Sequence, residues 1–309
     1  MADLKVGTAV DRKDLSSVLS IFRLKPENGS RFPDYLPGQY IALRRDRCRL
    51  TKKAVGADGQ VSYVPDVDVS GQQKIGPVTH SYSIASAPFE TLDHGALEFY
   101  VVLEKDEHGT LGRLSSSFFE MSEQGDDTLT YVNRITGNFT LPKTASGFTS
   151  VLLVGTGTGV APFVSMIKQI DHDARQGRVD PVQYTLLHTN RTYEELAYHQ
   201  DLLDIEAARR FDFVYVPSVS RPAVRDLTDP GMGQGRANNL LRHMFGMPVK
   251  EGEGRVVAPR LPGTVTQGSL MARFDPPKTV LLTCGNPSSM EDIKHVADTH
   301  RIKFEKEDW

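Results

Sequence analysis

The stretch "HSYSIASAP" at residues 80–88 sets a Tyr between two serines, with another Ser three residues on and a Pro closing the run. Two readings fit it. One is a strand end that runs into turn residues. The other places Tyr82 and Ser83 against a flat, partly polar ligand such as a flavin ring. A second candidate is "GTGTGVAP", Gly155 to Pro162, directly behind the apolar run VLLV. Gly lets a backbone approach a ligand closely and take positive φ. The helix start that follows offers unpaired N–H groups and the positive end of a dipole, which suits a diphosphate. The run is not GxGxxG, because Val160 and Ala161 are followed by Pro162. Pro is tolerated there, since its missing N–H has no role in a first helical turn. Three alternating glycines exceed what a plain strand–helix connection needs.

Further along stand Arg191 in "HTNR", Arg221 in "SVSR" and Arg236 in "GQGR". A lone Arg is most often a solvated surface group. These three each follow the end of a predicted strand or open the next helix, where α/β sheets bind ligands. The Glu194–Glu195 pair just after Arg191 reads as the solvated start of a helix, where acids suit the dipole. The chain ends "EKEDW", and Trp309 is its single Trp. Its ring either stacks on a flat ligand or tucks an apolar end against the surface.

These residues need elements to hold them. The first half carries runs rich in β-branched and aromatic residues at 18–24, 38–45, 96–105 and 127–135, with Gly and Pro in the gaps. That spacing suggests a small antiparallel barrel, with one helix over 113–121. The second half alternates: "SVLLVGTGTGVAPFVSMIKQID", then strand "VQYTLLHTN", helix "TYEELAYHQDLLDIEAARR", strand "FDFVYVPSVS", helix "GRANNLLRHMF", strand "KTVLLTCGNP" and a last helix. Alternating βαβ units predict a doubly wound parallel sheet. The boundary falls in "TLPKTASGF" (140–148), dividing the chain at 145/146. Residues 49–78 and 246–276 look like insertions, the second a candidate hairpin. "LRRDRCRLTKK" (43–53) concentrates positive charge, and an unbroken strand would put Arg45, Arg47 and Arg49 on one face.

Composition narrows the classes. The 309 residues are 39% hydrophobic and 24% charged with net charge −3, ordinary for a globular chain and no basis for nucleic-acid binding. No segment has the length of a signal peptide core or a membrane span. Cys48 and Cys284 lie too far apart in sequence to suggest a disulfide framework or cluster ligands, which points to a cytoplasmic setting.

In order and spacing, PGQY, HSYSIAS, LEFYVV, GRLS, GTGTGVAPF, LLHTNR, SVSR, GR, CGNP and the terminal aromatic resemble the ferredoxin–NADP reductase family, the bacterial type in particular. The resemblance covers nearly the whole chain apart from the two insertions. It implies two domains: an antiparallel Greek-key β-barrel for FAD over 1–145, then a doubly wound α/β parallel sheet for NADP over 146–309. By the resemblance, Tyr82 packs on the flavin and Ser83 hydrogen-bonds near its N5, with Ser81 between His80 and Tyr82. His80 departs from the family's Arg, which contacts the FAD diphosphate. A neutral imidazole offers one donor instead of a charged fork. Tyr100, Val101 and Val102 match the strand along the ribityl and diphosphate region. Arg113, Leu114 and Ser115 match the turn over the diphosphate, where Arg113 can supply part of the missing charge. Thr156 matches a position close to the flavin. Gly155, Thr156, Gly157, Thr158, Gly159 and Pro162 match the dinucleotide cradle. Gly285, Asn286 and Pro287 match the CGNP loop, and Cys284 stands where the family often has a Cys beside the nicotinamide. Asn190–Arg191, Ser220–Arg221 and Arg236 match the segments whose arginines read a 2′-phosphate. Glu307 and Trp309 copy a terminal Glu-x-aromatic spacing. Whether Trp309 stacks on isoalloxazine or on adenine stays open.

The resemblance implies hydride transfer between NADP(H) and FAD, with Ser83, Cys284 and Glu307 as polar groups at the reacting centre. Single electrons would pass to a separate ferredoxin or flavodoxin. No membrane span and no nucleic-acid partner are expected, and a monomer or weak dimer is. Two alternatives remain: an NADH-dependent reductase component for an oxygenase or cytochrome, and a non-catalytic flavin or nucleotide sensor.

Overall fold

The computed structural model describes residues 3–55, 59–106, 108–122, 125–250 and 257–307. They divide into two compact units. One comprises Met1–Tyr35, Tyr40–Ile84 and Glu90–Thr136; the other comprises Leu36–Gln39, Ala85–Phe89 and Gly137–Trp309. The division therefore falls at 136/137, and two short segments of the first half join the second unit.

The first unit holds β1 (Leu4–Ser16), β2 (Leu19–Pro26), β3 (Tyr40–Arg49), β4 (Thr51–Val55), β5 (Val61–Pro65), β6 (Ile75–Ser83), β7 (Leu97–Val102) and β8 (Thr128–Thr136). Six of these form an antiparallel half-barrel in the order β6-β3-β8-β1-β2-β7, while β4 and β5 make a separate hairpin inside the 49–78 insertion. Alternation sends Phe22, Leu24, Ile41, Leu43, Phe99 and Tyr131 into one core. Helix α1 (Pro88–His94) precedes β7, and α2 (Arg113–Phe119) precedes β8. Leu114 and Phe118 of α2 enter the same core, Phe118 lying 5.5 Å from the Phe22 ring.

The arginines of β3 do not share a face. The β3–β6 register slips between Arg45 and Cys48. That extra residue flips the alternation, so Arg45 and Cys48 both point inward while Arg47 and Arg49 stay exposed. Arg45 donates to the Thr128 carbonyl at 2.7 Å and pairs with Asp126 at 2.8 Å. It braces β3 against β8.

The second unit contains α3 (Leu141–Thr144), β9 (Ser150–Thr156), α4 (Ala161–Arg175), β10 (Gln183–Asn190), α5 (His199–Ala208), β11 (Phe213–Val219), α6 (Val224–Thr228), β12 (Gly233–Gln234), α7 (Ala237–Met244), α8 (Gln267–Met271), β13 (Thr279–Cys284), α9 (Pro287–Thr299) and β14 (Lys303–Lys306). Its sheet is wholly parallel, in the order β12-β11-β10-β9-β13-β14. Leu152, Val154, Leu187, Val216 and Leu281 pack under α7, α8 and α9. The borrowed segments are firmly held in this unit. Ser165 donates to the Ser86 carbonyl at 2.7 Å, Phe89 stacks on His172 at 4.1 Å, and Gly38, at φ +94°, abuts the Phe139 carbonyl so closely that a Cβ would overlap it. The expected hairpin at 246–276 does not form among the described residues. Arg260 instead exchanges backbone bonds with Gln234, and Thr266 and Ser269 cap α8 reciprocally.

A polar line crosses the other side of this sheet. Tyr215 Oη lies 3.0 Å from His188 Nδ1 and 3.0 Å from His199 Nδ1. His188 is fully buried, and burial, together with the charge of His199, pushes its pKa down to about 3. Burial also lowers the pKa of His199.

Two outcomes follow from these arrangements. Arg45→Ala should cost about 2 kcal/mol in chemical unfolding, since it strips part-buried carbonyls of a buried, charged donor. Arg47→Ala should stay within about 0.5 kcal/mol. For His188 the folded pKa lies below the unfolded value of about 6.5. The unfolded chain thus takes up a proton that the fold refuses. This stabilisation is complete above about pH 6.5 and shrinks as pH falls toward 3, by about 2 kcal/mol already at pH 5. Unfolding free energies across pH 5–7 should show that slope, and His188→Asn should flatten it; a level wild-type profile would contradict it.

Candidate functional site

The order of the second sheet reverses at β9, which has β10 on one side and β13 on the other. Ligands of open α/β sheets bind beyond the carboxyl ends of strands at such a switch point. Both expected motifs emerge there. Gly155–Thr156 closes β9 and Cys284 closes β13, with Cys284 opposite Gly155 in register. A 3₁₀ turn over Gly157–Val160 separates β9 from α4, so the helix begins at Ala161 with Pro162 in its first turn.

Each glycine of the run has a different reason. A Cβ on Gly155 would press on Val160, 2.9 Å from its Cα. One on Gly159 would overlap the Cys284 carbonyl, and one on Gly285, at φ +131°, would overlap the Thr156 hydroxyl. Gly157 is different: its φ is +57° and a Cβ there would meet nothing within 4 Å. Gly155 and Gly159 let two loops close on each other, while Gly157 turns the chain beside open space. Thr156 Oγ1 accepts the Asn286 N–H at 3.0 Å, and Asn286 Oδ1 caps α9 by accepting Ser289 N–H at 3.1 Å, with Pro287 following. Residues some 130 positions apart in sequence thereby form one cradle, with Gly157 and Thr158 half-buried along it.

Behind it, Cys284 Sγ lies 3.6 Å from Glu307 Oε2 and both are buried. Burial first, and the charge of Glu307 second, raise the thiol pKa well above its ordinary value. This thiol is a weak neutral donor and not a nucleophile. Trp309 lies outside the described residues.

The three arginines converge at neighbouring strand ends. Ser220 N–H donates to the Asn190 carbonyl at 2.9 Å and Arg221 N–H to the Arg191 carbonyl at 2.7 Å. Gly235 N–H donates to Val219 at 2.9 Å, which brings Arg236 alongside as the N-cap of α7. Their side chains differ. Arg221 and Arg236 are exposed. Arg191 Nε donates to Glu195 at 2.8 Å, and a second nitrogen pairs with the other carboxylate oxygen. Glu195 is 4% exposed, so its reading as a solvated residue is corrected. Glu194 is solvated, and α5 begins only at His199. Sequence reasoning also passed over Arg225, which lies 4.3 Å over the Tyr193 ring and 2.5 Å from Glu194. The four-residue spacing of Arg191 and Glu195 was the available signal.

In the first unit, α2 gathers the candidate residues. His80, Ser81, Tyr82 and Ser83 end β6: His80 and Ser81 are exposed, Tyr82 is half-buried and Ser83 is buried. Tyr82 lies 5.3 Å from the Phe118 ring of α2. Desolvation and then the charge of Glu104 raise its pKa, keeping the phenol neutral. Tyr100 and Val101 are buried in β7, the opposite edge strand, with Val102 at its end. The chain leaving β7 is tied to the start of α2: Ser115 Oγ accepts Glu104 N–H at 3.2 Å, and Gly112 N–H reaches the Glu104 carbonyl at 2.9 Å. Arg113 stands half-exposed at the first helical position, with Leu114 and Ser115 buried behind it. Thr156 belongs to the other unit.

Residues 153–253 match the family of oxidoreductase NAD-binding domains. The chain is 26% identical over 235 residues to a ferredoxin–NADP reductase of Pseudomonas aeruginosa, an alignment spanning 74% of each chain. It is 27% identical over 187 residues to a flavohemoprotein of Deinococcus radiodurans, covering 60% of this chain and 36% of that one. The fold superposes on a ferredoxin NADP+ reductase of Neisseria gonorrhoeae, solved with FAD and NADP, with TM-score 0.61, 20% identity and 99% of each chain covered. The resemblance to ferredoxin–NADP reductases read from the motifs thus holds in sequence and in fold. No helix among the described residues is long and apolar enough to cross a membrane.

The two glycines should separate in stability. Gly159→Ala should lower it by at least about 2 kcal/mol, because a carbonyl of the neighbouring loop must move. Gly157→Ala should cost about 1 kcal/mol, the strain of a left-handed L-residue. Chemical unfolding midpoints compare them, and equal losses would deny that Gly159 closes the cradle.

Proposed function

We propose that the chain, whose motif order and two-domain fold are those of the ferredoxin–NADP reductases, is an FAD-dependent NADP(H) oxidoreductase that exchanges single electrons with a separate ferredoxin or flavodoxin. The observation that carries this reading is the cradle at the β9/β13 switch point, where Gly157 turns beside open space and Thr156 holds the Asn286 loop. FAD, when bound, supplies the ring that accepts hydride and returns electrons one at a time. The chain supplies placement. Tyr82 offers a ring kept neutral for stacking on the flavin, and Ser83 a hydroxyl beside it. His80 and Ser81, Tyr100 to Val102, and Arg113 to Ser115 line the flavin's chain.

Gly155 to Gly159 take the nucleotide diphosphate on backbone N–H groups, Pro162 shapes the first turn of α4 behind them, and Gly285 to Pro287 close over the nicotinamide. Asn190, Arg191, Ser220, Arg221 and Arg236 form the 2′-phosphate end. Cys284 and Glu307 form a buried pair whose thiol, kept protonated, can donate a hydrogen bond without competing as a nucleophile. Hydride transfer requires donor and acceptor within about 3–3.5 Å, so orientation is the main contribution of these residues.

The flavohemoprotein relatives favour a second reading, an NADH-dependent reductase for another redox protein. Spectra decide between them. The protein, purified and supplied with FAD, should show a flavin band that NADPH bleaches anaerobically much faster than NADH. Faster bleaching by NADH selects the second reading. A retained flavin that neither nucleotide reduces removes both and leaves a sensor, and no retained flavin removes every flavin reading.

A further inference from the structure

The hairpin of β4 and β5 turns its apolar residues outward. Each of the two strands pairs only with the other. Along β5, Val61, Tyr63 and Pro65 are exposed while Ser62 and Val64 are half-buried. On β4, Lys53 stands opposite Tyr63 and Val55 opposite Val61, on that same outer face. The row runs on through Val67, which bridges to Gln73. Val55 is 66% exposed and Tyr63 47%. A two-stranded hairpin is marginal without a covered apolar face, and a contiguous exposed apolar patch marks an interaction site. This face is nonetheless fixed in place. Asp66 N–H donates to the Leu50 carbonyl at 2.9 Å and Leu50 N–H to the Lys74 carbonyl at 2.8 Å. Lys74 pairs with Asp66 at 3.1 Å, and Thr110 Oγ1 donates to the Tyr63 carbonyl at 3.0 Å. A surface ordered beforehand loses little freedom on binding.

Charge identifies the occupant. Residues 44–75 hold seven Lys or Arg against four Asp, in a chain whose net charge is −3. Arg47, Lys52 and Lys53 are exposed and have no acidic group within 4 Å among the described residues. The carboxylates nearby are engaged, Asp66 with Lys74 and Asp68 with Ser70 and Gln72. A second copy of this chain would set like charges against Lys52 and Lys53. An anionic bilayer would repel the exposed Asp68 beside Val67 and Val69.

We propose that the outer face of the β4–β5 hairpin docks an acidic protein partner, whose apolar centre covers Val55, Val61, Tyr63 and Val67 and whose surrounding carboxylates meet Arg47, Lys52 and Lys53. The hairpin is bonded through Thr110 to the loop that enters α2, the helix that gathers the candidate flavin residues. Naming the partner as the one-electron carrier rests on the proposed function; the chemistry of the docking face does not.

The probes are an acidic iron–sulfur ferredoxin and an acidic flavodoxin, with binding to the FAD-loaded chain read by calorimetry at low and high salt. At least one should bind, and more weakly as salt rises. Zero-length carbodiimide coupling should join its carboxylates to Lys52 or Lys53, read by mass spectrometry of the linked peptides. Lys52→Glu/Lys53→Glu should weaken binding at least about tenfold at low salt and less at high salt. Val61→Ser/Tyr63→Ser should weaken it at least about tenfold at both. Both double variants should keep the native rate of NADPH-driven reduction of a small neutral quinone. No binding of either probe at low salt, or binding that neither variant changes, overturns the proposal. A dimer that Val61→Ser/Tyr63→Ser dissolves in sedimentation, or capture of the chain on phosphatidylserine vesicles that the same variant abolishes, gives the face another occupant and also overturns it. A probe that docks in this pattern yet receives no electrons leaves the docking face standing and ends the electron-transfer reading. Electrons that reach a probe at the native rate from both variants do the reverse.

Discussion

The second unit depends on one close approach: the Gly159 backbone against the Cys284 carbonyl. Neither loop can reach the other if a side chain stands between them. Once they meet, Thr156 and Gly285 are also in contact, and the ends of β9 and β13 become one surface. Parallel strands force this geometry, since all their carboxyl ends fall on the same edge. The glycines convert that edge from a set of separate loops into a continuous cradle.

The first unit solves a related problem with a helix. Its candidate residues lie on β6 and β7, the two outermost strands of the sheet. Helix α2 reaches both, through Phe118 to Tyr82 and through Ser115 and Gly112 to Glu104. Three serines in a row within α2 satisfy themselves on carbonyls nearby, Ser117 on Leu114 at 2.7 Å and Ser116 on Arg113 at 3.2 Å. The helix can therefore sit buried between edge strands without leaving hydroxyls unpaired.

Much of this was legible in residue patterns. Runs such as "LEFYVV" and "VLLVGT" carry strand chemistry in themselves, and the Gly-rich turn announced its strand and helix. What escaped was whatever depends on a partner distant in sequence. Strand β1, "LKVGTAVDRKDLS", is largely exposed and charged, so no apolar alternation marks it. Arg45 and Arg47 look alike in sequence, and only the slipped register separates a buried brace from a surface charge. Glu195 looked solvated because its neighbour Glu194 is. The cap of α8 was readable in "TQGS", but the surrounding Gly and Pro masked it. Roles for the candidate residues came from the family resemblance, since polar residues at a strand end carry no label of their ligand.

The two short segments that leave the first half of the chain have a practical meaning. Leu36–Gln39 and Ala85–Phe89 are packed with residues beyond 136, through Gly38 against Phe139 and Ser86 against Ser165. Chain order and structural membership therefore part company at these points. A fragment ending at residue 136 carries away pieces of its neighbour's interior, and the remainder begins life with holes where they belonged. No single peptide-bond cleavage therefore yields both units whole.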